Sequence, residues 1–201
     1  MRNLLVVFAV SALLVFAAIY FIDDPVARYV HTLPWARSLR SPALGLPVLV
    51  TLSGIAVVLA AIIAANGHSL SKFAETVVVA SLGLTFSVCV DEFILKNAFG
   101  REIPDEFLQS GIDTFHWFRG VPTSSFPSGH AVQIVSVGII FLMAYPRFRT
   151  AWLSFMGLGL VALVLGNWHF VSDVIAGAAF GAVGGTATMT LWRSRPGRTA
   201  D

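Results

Sequence analysis

The sequence is poor in cysteine and in charged side chains. Among its 201 residues there is a single cysteine, Cys89, which excludes a disulfide framework and a cysteine-based zinc site within the chain. Asp, Glu, Lys and Arg make up 12% of the residues, against about 25% in ordinary soluble domains. The formal net charge of +2 comes without a basic stripe, so nothing indicates a nucleic-acid partner. Without a soluble linker or a low-complexity tract, residues 1–201 are interpreted as one membrane domain.

Apolar residues are abundant instead. They account for 56% of the sequence, and the mean hydropathy is +0.79, which is more apolar surface than one core of this size can bury. Six apolar stretches approach the roughly 20 residues that a membrane-spanning helix needs: 4–22, 43–65, 73–95, 127–145, 151–168 and 174–192. The sequence therefore predicts an all-α bundle of six transmembrane helices. The first stretch runs into "DDP" rather than a small-residue cleavage site, so we expect it to be retained.

Six spans place both termini on one side of the membrane. The connections after the first, third and fifth spans then share the opposite face, including the long connection 96–126 and the turn 166–173. The distribution of Lys and Arg weakly favours cytoplasmic termini. We therefore predict an integral protein of the bacterial inner membrane, with the helix ends that carry the site on the outer face.

The segment "SSFPSGHAVQIV", residues 124–135, predicts an anion site at a helix N-terminus. Pro127 suits the first turn of a helix, and Ser124 or Ser125 can cap it. The N–H groups of Ser128, Gly129 and His130 would then point out of the helix end, where phosphate commonly binds. Gly129 has no side chain to block a phosphate oxygen.

A second histidine belongs to "GNWHFVSDVIAG", residues 166–177. His169 and Asp173 are four apart, so on a helical turn they can hydrogen-bond, and the carboxylate would make the imidazole a better nucleophile. The alternative is that Asp173 caps the last span. Further along that span, Gly177, Gly181 and Gly185 predict close approach of a neighbouring helix.

Two cations follow the third span in "DEFILKNAFGREIP", residues 91–104. Lys96 and Arg101 are sufficient to clamp a tetrahedral dianion, and Glu92 is spaced to hold Lys96 in place. Both cations also fit the alternative of ordinary anchors at a membrane boundary. Together with the two histidines they form a candidate site, because ionisable residues at membrane depth are commonly functional.

Three motifs carry a family resemblance: Lys96…Arg101…Pro104, then "PSGH" at 127–130, then "HFVSD" at 169–173. Together they resemble the signature of the type 2 phosphatidic acid phosphatases, whose superfamily includes bacterial acid phosphatases and vanadium haloperoxidases. The resemblance covers roughly residues 70–190. It implies a membrane-bound phosphatase that uses no metal or other cofactor.

The resemblance also implies a role for each matching residue. His169 would be the nucleophile that forms a phosphohistidine, Asp173 would orient it, and His130 would protonate the leaving group. The phosphoryl oxygens would be bound by Lys96, Arg101, Ser128 and Gly129. Phosphoryl transfer needs mainly positioning and charge neutralisation, which agrees with this set.

The sequence departs from the family pattern at two arginines. Ile103 precedes Pro104 where the first motif usually has Arg, so Arg101 would have to serve. Ala162 and Leu163 stand where the third motif usually begins Ser-Arg. Arg119, in the loop before "PSGH", is a candidate substitute that would bind substrate; the alternative is a residue that serves solubility or contacts lipid headgroups.

The leading hypothesis is an integral membrane phosphatase acting on a lipid phosphate or diphosphate. Polyprenyl diphosphate, phosphatidate, phosphatidylglycerophosphate and phosphorylated lipid A are the candidate substrates. Three alternatives stay open: a lipid-to-lipid phosphotransferase with the same site, a non-catalytic membrane protein with a degenerate site, and a metal-dependent hydrolase. The last would use His130, His169, Asp173 and His116 as metal ligands.

Overall fold

A computed structural model describes residues 2–36, 46–111, 113–118 and 124–195. The regular structure in these ranges is helical and includes no strand, which confirms the predicted all-α class. The helices are α1 (Arg2–Phe21), α2 (Asp23–His31), α3 (Leu46–Ala65), α4 (Lys72–Val90), α5 (Lys96–Phe99), α6 (Pro104–Ser110), α7 (Gly129–Ala144), α8 (Arg149–Leu165) and α9 (Val171–Arg193). A π-helical turn, Asp91–Leu95, joins α4 to α5, and a 3₁₀ turn, Pro146–Phe148, precedes α8.

Within the described ranges, three helical segments are long and apolar enough to cross a membrane: Lys72–Phe99, Pro146–Leu165 and Val171–Arg193. A fourth span results if Phe8–Phe21 and Asp23–His31, which meet at 58°, are counted together. The predicted number of six is therefore not confirmed. The span predicted at 127–145 is shorter than expected, because α7 begins at Gly129 and its 16 residues extend only about 24 Å. The span predicted at 43–65 falls partly outside the described residues.

Helices α7 and α9 lie parallel and in backbone contact. A Cβ atom added at Gly177 would stand 2.4 Å from the carbonyl oxygen of Ser128, and one added at Gly181 would stand 2.4 Å from that of Val132. At Gly185 the distance to the Ser136 oxygen would be 2.5 Å. The predicted close approach at these glycines is confirmed, since no larger residue fits between the two backbones.

Helix α4 completes a three-helix core with α7 and α9. Val79 of α4, Ile140 of α7 and Met189 of α9 are buried together in one apolar cluster. Across the same contact, Ser87 Oγ donates to Ser136 Oγ at 3.2 Å. Apolar side chains on the outer surfaces stay exposed, with Leu158 of α8 at 72%, as expected for helices whose solvent is lipid.

This packing brings three helix ends together. The N-termini of α7 and α9 lie side by side because the two helices are parallel, as the contact of Gly177 with Ser128 records. The end of α4 reaches the same place, where Asp91 and Lys96 lie against Gly129. The candidate site is built at this end of the bundle.

Candidate active site

His130 and His169 lie side by side although 39 positions separate them in the sequence. His130 Nδ1 is 3.4 Å from His169 Nε2, and the ring centroids are 5.7 Å apart. His130 belongs to the first turn of α7, and His169 lies two residues before the start of α9, so the parallel packing of these helices sets the distance. The indole of Trp168 meets the His130 ring edge-on at 5.2 Å.

The Ser125 carbonyl selects the tautomer of the His169 ring. His169 Nδ1 lies 3.1 Å from this oxygen, and a carbonyl can only accept a hydrogen bond, so Nδ1 carries the proton. In the neutral ring, Nε2 then has the lone pair, and this atom faces His130. The predicted hydrogen bond between His169 and Asp173 is not formed, because Nδ1 and Asp173 Oδ2 are 3.8 Å apart. The carboxylate therefore lies close to the ring without a hydrogen bond to it.

Asp173 also caps helix α9, as the alternative interpretation expected. Its Oδ2 accepts from the backbone N–H of Phe170 at 2.9 Å, and its Oδ1 accepts from Arg101 Nη1 at 2.8 Å. The carboxylate is fully buried. Its hydrogen bonds therefore go to the helix end and to Arg101 rather than to His169.

Helix α7 begins two residues later than Pro127 suggested. The cap is Ser128, whose Oγ accepts from the N–H of Ala131 at 3.2 Å, rather than Ser124 or Ser125. The N–H of Ser128 donates to the carbonyl of Asp173 at 3.0 Å, so it does not face a phosphate as expected. Within the described part of the chain, the N–H groups of Gly129 and His130 form no such bond.

Lys96 lies beside this helix end. A Cβ added at Gly129 would stand 3.7 Å from Lys96 Nζ and 2.7 Å from Asp91 Oδ2, so only glycine fits there. Lys96 pairs with Glu92, which confirms the predicted contact, and lies 3.9 Å from Asp91 Oδ2. The Asp91 carboxylate is 1% exposed, and its Oδ1 has no hydrogen-bond partner among the described residues.

Arg101 is not placed to clamp a phosphate. It is fully buried, and its five N–H groups all bond within the protein. Nε and Nη2 donate to Asp113, Nη1 to Ser172 Oγ at 2.7 Å and to Asp173, and Nη2 to Asp23 Oδ2 at 3.0 Å. Burial alone would lower the pKa of Arg101, but these carboxylates raise it well above its ordinary value. These three carboxylates, two of them distant in sequence, hold the Arg101 side chain against Asp173.

Two other residues were candidates for the site. Arg119 lies outside the described residues. His116, considered as a metal ligand, pairs through Nε2 with Glu102 Oε1. Burial would raise the pKa of Glu102, yet this bond and the N–H of Thr114 lower it below its ordinary value.

Apolar helices and a buried polar cluster at their ends define the class: this is an integral membrane protein with a polar site. Residues 76–196 match the family model of the PAP2 superfamily, and the chain belongs to that superfamily. The predicted family is thereby confirmed. The match includes both histidines, Asp173 and Lys96, whereas Asp23 lies before it.

The chain also resembles curated lipid A 1-phosphatases. It is 41% identical to that of Rhizobium johnstonii over 91 residues, which is 44% of this chain and 37% of the relative. Its identity to the lipid A 1-phosphatase of Rhizobium etli is 40% over 90 residues, which is 44% of this chain and 38% of the relative. Its identity to the lipid A 1-phosphatase of Porphyromonas gingivalis is 27% over 101 residues, which is 47% of this chain and 22% of the relative. The matches thus span less than two fifths of these relatives, and no solved structure matches the chain.

Proposed function

We propose that this chain is a membrane phosphatase that hydrolyses a lipid phosphate or diphosphate monoester. The observation that carries the proposal is the position of His169: its Nε2 lies 3.4 Å from His130 Nδ1 beside the N-terminus of α7, and its Nδ1 is bonded to the Ser125 carbonyl. Membership of the PAP2 superfamily and the resemblance to lipid A 1-phosphatases support it, and make a phosphorylated lipid of the lipid A type the first substrate to test. The site would face the outer side of the inner membrane.

In the proposed reaction, His169 Nε2 attacks phosphorus and forms an N–P bond while the bond to the leaving oxygen breaks. His130 gives that oxygen a proton. A water molecule, deprotonated by His130, then attacks the phosphohistidine and releases inorganic phosphate. The positive charge that develops on the His169 ring is stabilised by the Ser125 carbonyl and by the nearby charge of Asp173.

The substrate has to separate the two rings. His130 Nδ1 and His169 Nε2 are at contact distance, 3.4 Å, so a phosphoryl group does not fit between them in this arrangement. His169 is anchored through Nδ1 to Ser125. We therefore expect His130, which is half-buried, to rotate when the phosphate enters.

Phosphate binding in this proposal rests on Lys96 and on the N–H groups of Gly129 and His130. A helix N-terminus with a nearby ammonium suits a phosphate dianion. Arg101 then serves to position Asp173 rather than to bind substrate. Arg119 stays the proposed second cation, in place of the arginines that Ile103 and Leu163 replace.

The proposal is tested by phosphate release from purified protein in detergent. The substrates are lipid A, phosphatidate, phosphatidylglycerophosphate and polyprenyl diphosphate, each assayed with and without excess EDTA. We expect release from at least one of them and no effect of EDTA, because the Lys96 ammonium already holds the position beside Asp91 and Glu92. Failure with every lipid would contradict the proposal, as would activity restored only by a divalent cation. Transfer of the substrate phosphate to a second lipid, without release of free phosphate, would indicate the phosphotransferase.

His130→Ala should lower kcat by about 10²- to 10⁴-fold, because it removes the general acid. The loss should be larger for an alkyl phosphate than for an aryl phosphate, whose phenolate leaves without a proton. Steady-state rates on such a pair of esters measure the difference. Equal losses for the two esters would contradict the acid role of His130.

A further inference from the structure

Asp23 is a buried carboxylate that links the N-terminal helices to the site. It lies at the bend between α1 and α2 and is 1% exposed. Its Oδ1 accepts from the backbone N–H of Ser172 at 2.9 Å. Its Oδ2 accepts from Ser172 Oγ and, at 3.0 Å, from Arg101 Nη2.

Both hydrogen-bond partners of Asp23 are also connected to Asp173, the carboxylate beside the proposed nucleophile. Ser172 precedes Asp173 in the first turn of α9, and Arg101 Nη1 donates to Asp173 Oδ1 at 2.8 Å. Asp23, Asp113 and Asp173 therefore share one guanidinium, and apart from Asp113, which is 24% exposed, the group is buried. At low local dielectric the charge of each member is felt strongly by the others.

We propose that Asp23 is a positioning residue for this site: through Arg101 and Ser172 it sets the place and the effective charge of Asp173, and thereby the basicity of His169. The inference rests on the proposed function for its effect on turnover. Asp23 precedes residues 76–196, so the bent pair of N-terminal helices would belong to the working site and not only to the membrane anchor.

Loss of the Asp23 charge should lower the titration midpoint of His169. Without its charge, Arg101 is opposed by two carboxylates instead of three, and the field of Asp173 at His169 is more fully cancelled. Among the described residues, Asp173 of α9 and His130 of α7 are the ionisable groups closest to His169, and Lys96 of α5 lies near the first residue of α7. Since these are unchanged, His169 should give up its proton at lower pH in an Asp23→Asn variant.

The test compares Asp23→Asn with Asp24→Asn. Asp24 is the matched control because it is adjacent, 56% exposed and paired with Arg28 at the surface. In both proteins the His169 ring is titrated by NMR of ¹⁵N-labelled imidazole, and kcat and KM are measured. For Asp23→Asn we expect a His169 midpoint lower by about half a pH unit or more, kcat lower by about 10- to 100-fold and KM within about twofold. Asp24→Asn should match the parent in all three.

Unchanged midpoint and kcat in Asp23→Asn would overturn the positioning role while leaving the phosphatase intact. A fall in kcat without a shift of the midpoint would also overturn it, since loss of folded protein alone produces that result. If the parent releases phosphate from no lipid but the midpoint shifts, the proposed function fails and the positioning role holds. Should Asp23→Asn not fold, Ser172→Ala removes the hydroxyl shared by Asp23 and Arg101. A folded Ser172→Ala protein with both the parent kcat and the parent midpoint would overturn the proposal.

Discussion

His169→Ala should abolish phosphate release, with kcat/KM lowered at least about 10⁴-fold. Nε2 of this ring is the proposed nucleophile, and the covalent route has no first step without it. The measurement is release of inorganic phosphate from the best lipid in the panel, under conditions where substrate is well below KM.

His68→Ala is the matched control for this loss. His68 is exposed in the connection between α3 and α4, away from the end of the bundle that carries the site. We expect it to keep the parent rate within about twofold. A His169→Ala protein that is folded and retains a tenth of the parent activity would rule out the nucleophilic role.

Gly181→Ala should both destabilise the protein and lower its activity. The added Cβ would stand 2.4 Å from the Val132 carbonyl oxygen and 3.1 Å from the Ser136 nitrogen, which are backbone atoms that cannot turn aside. Helices α7 and α9 must separate, at a cost of about 2 kcal/mol in the free energy of unfolding. His130 and His169 depend on these two helices, and a displacement of about 1 Å can cost 100-fold in rate.

Gly157→Ala provides the comparison for Gly181→Ala, because a Cβ at Gly157 meets no heavy atom within 4 Å. Thermal unfolding in detergent and steady-state rates are measured for both. Gly157→Ala should match the parent or be slightly more stable, since alanine favours a helix over glycine. If the two variants unfold at the same temperature, the backbone contact between α7 and α9 does not limit stability.

The histidine cluster was accessible to sequence reasoning because it depends on topology. Two motifs that each begin an apolar helix, separated by one intervening helix, come to the same end of a bundle, and His130 and His169 do so here. The spacing of Glu92 and Lys96 predicted their contact in the same way, through the period of the helix.

The partners of Arg101 and His169 were not accessible. Asp23 and Asp113 lie 78 and 12 positions from Arg101, and no local pattern relates them to it. Because Arg101 bonds to both of them and to Asp173, it does not face the phosphate that the sequence motif predicted for it. The group that fixes His169 is a backbone carbonyl, that of Ser125, which no side-chain pattern can reveal.

Helix boundaries explain the remaining differences. Pro127 suits a first helical turn, but the hydroxyl of Ser128 reaches the N–H of Ala131, and α7 starts after it. The polar segment before Gly129 shortens the apolar helix below a full span. At the other end of the chain, the bend between α1 and α2 buries Asp23 against Ser172, a contact that hydropathy does not report.

The most direct measurement of the central claim is capture of the covalent intermediate. Protein mixed with a ³²P-labelled lipid phosphate is quenched in alkali within one turnover and digested, and the labelled peptide is sequenced. The account predicts label on His169 that is stable in alkali and lost in acid, and no label on His169→Ala. Label on another residue, or hydrolysis by active enzyme with no labelled protein at any time within the turnover, would contradict it.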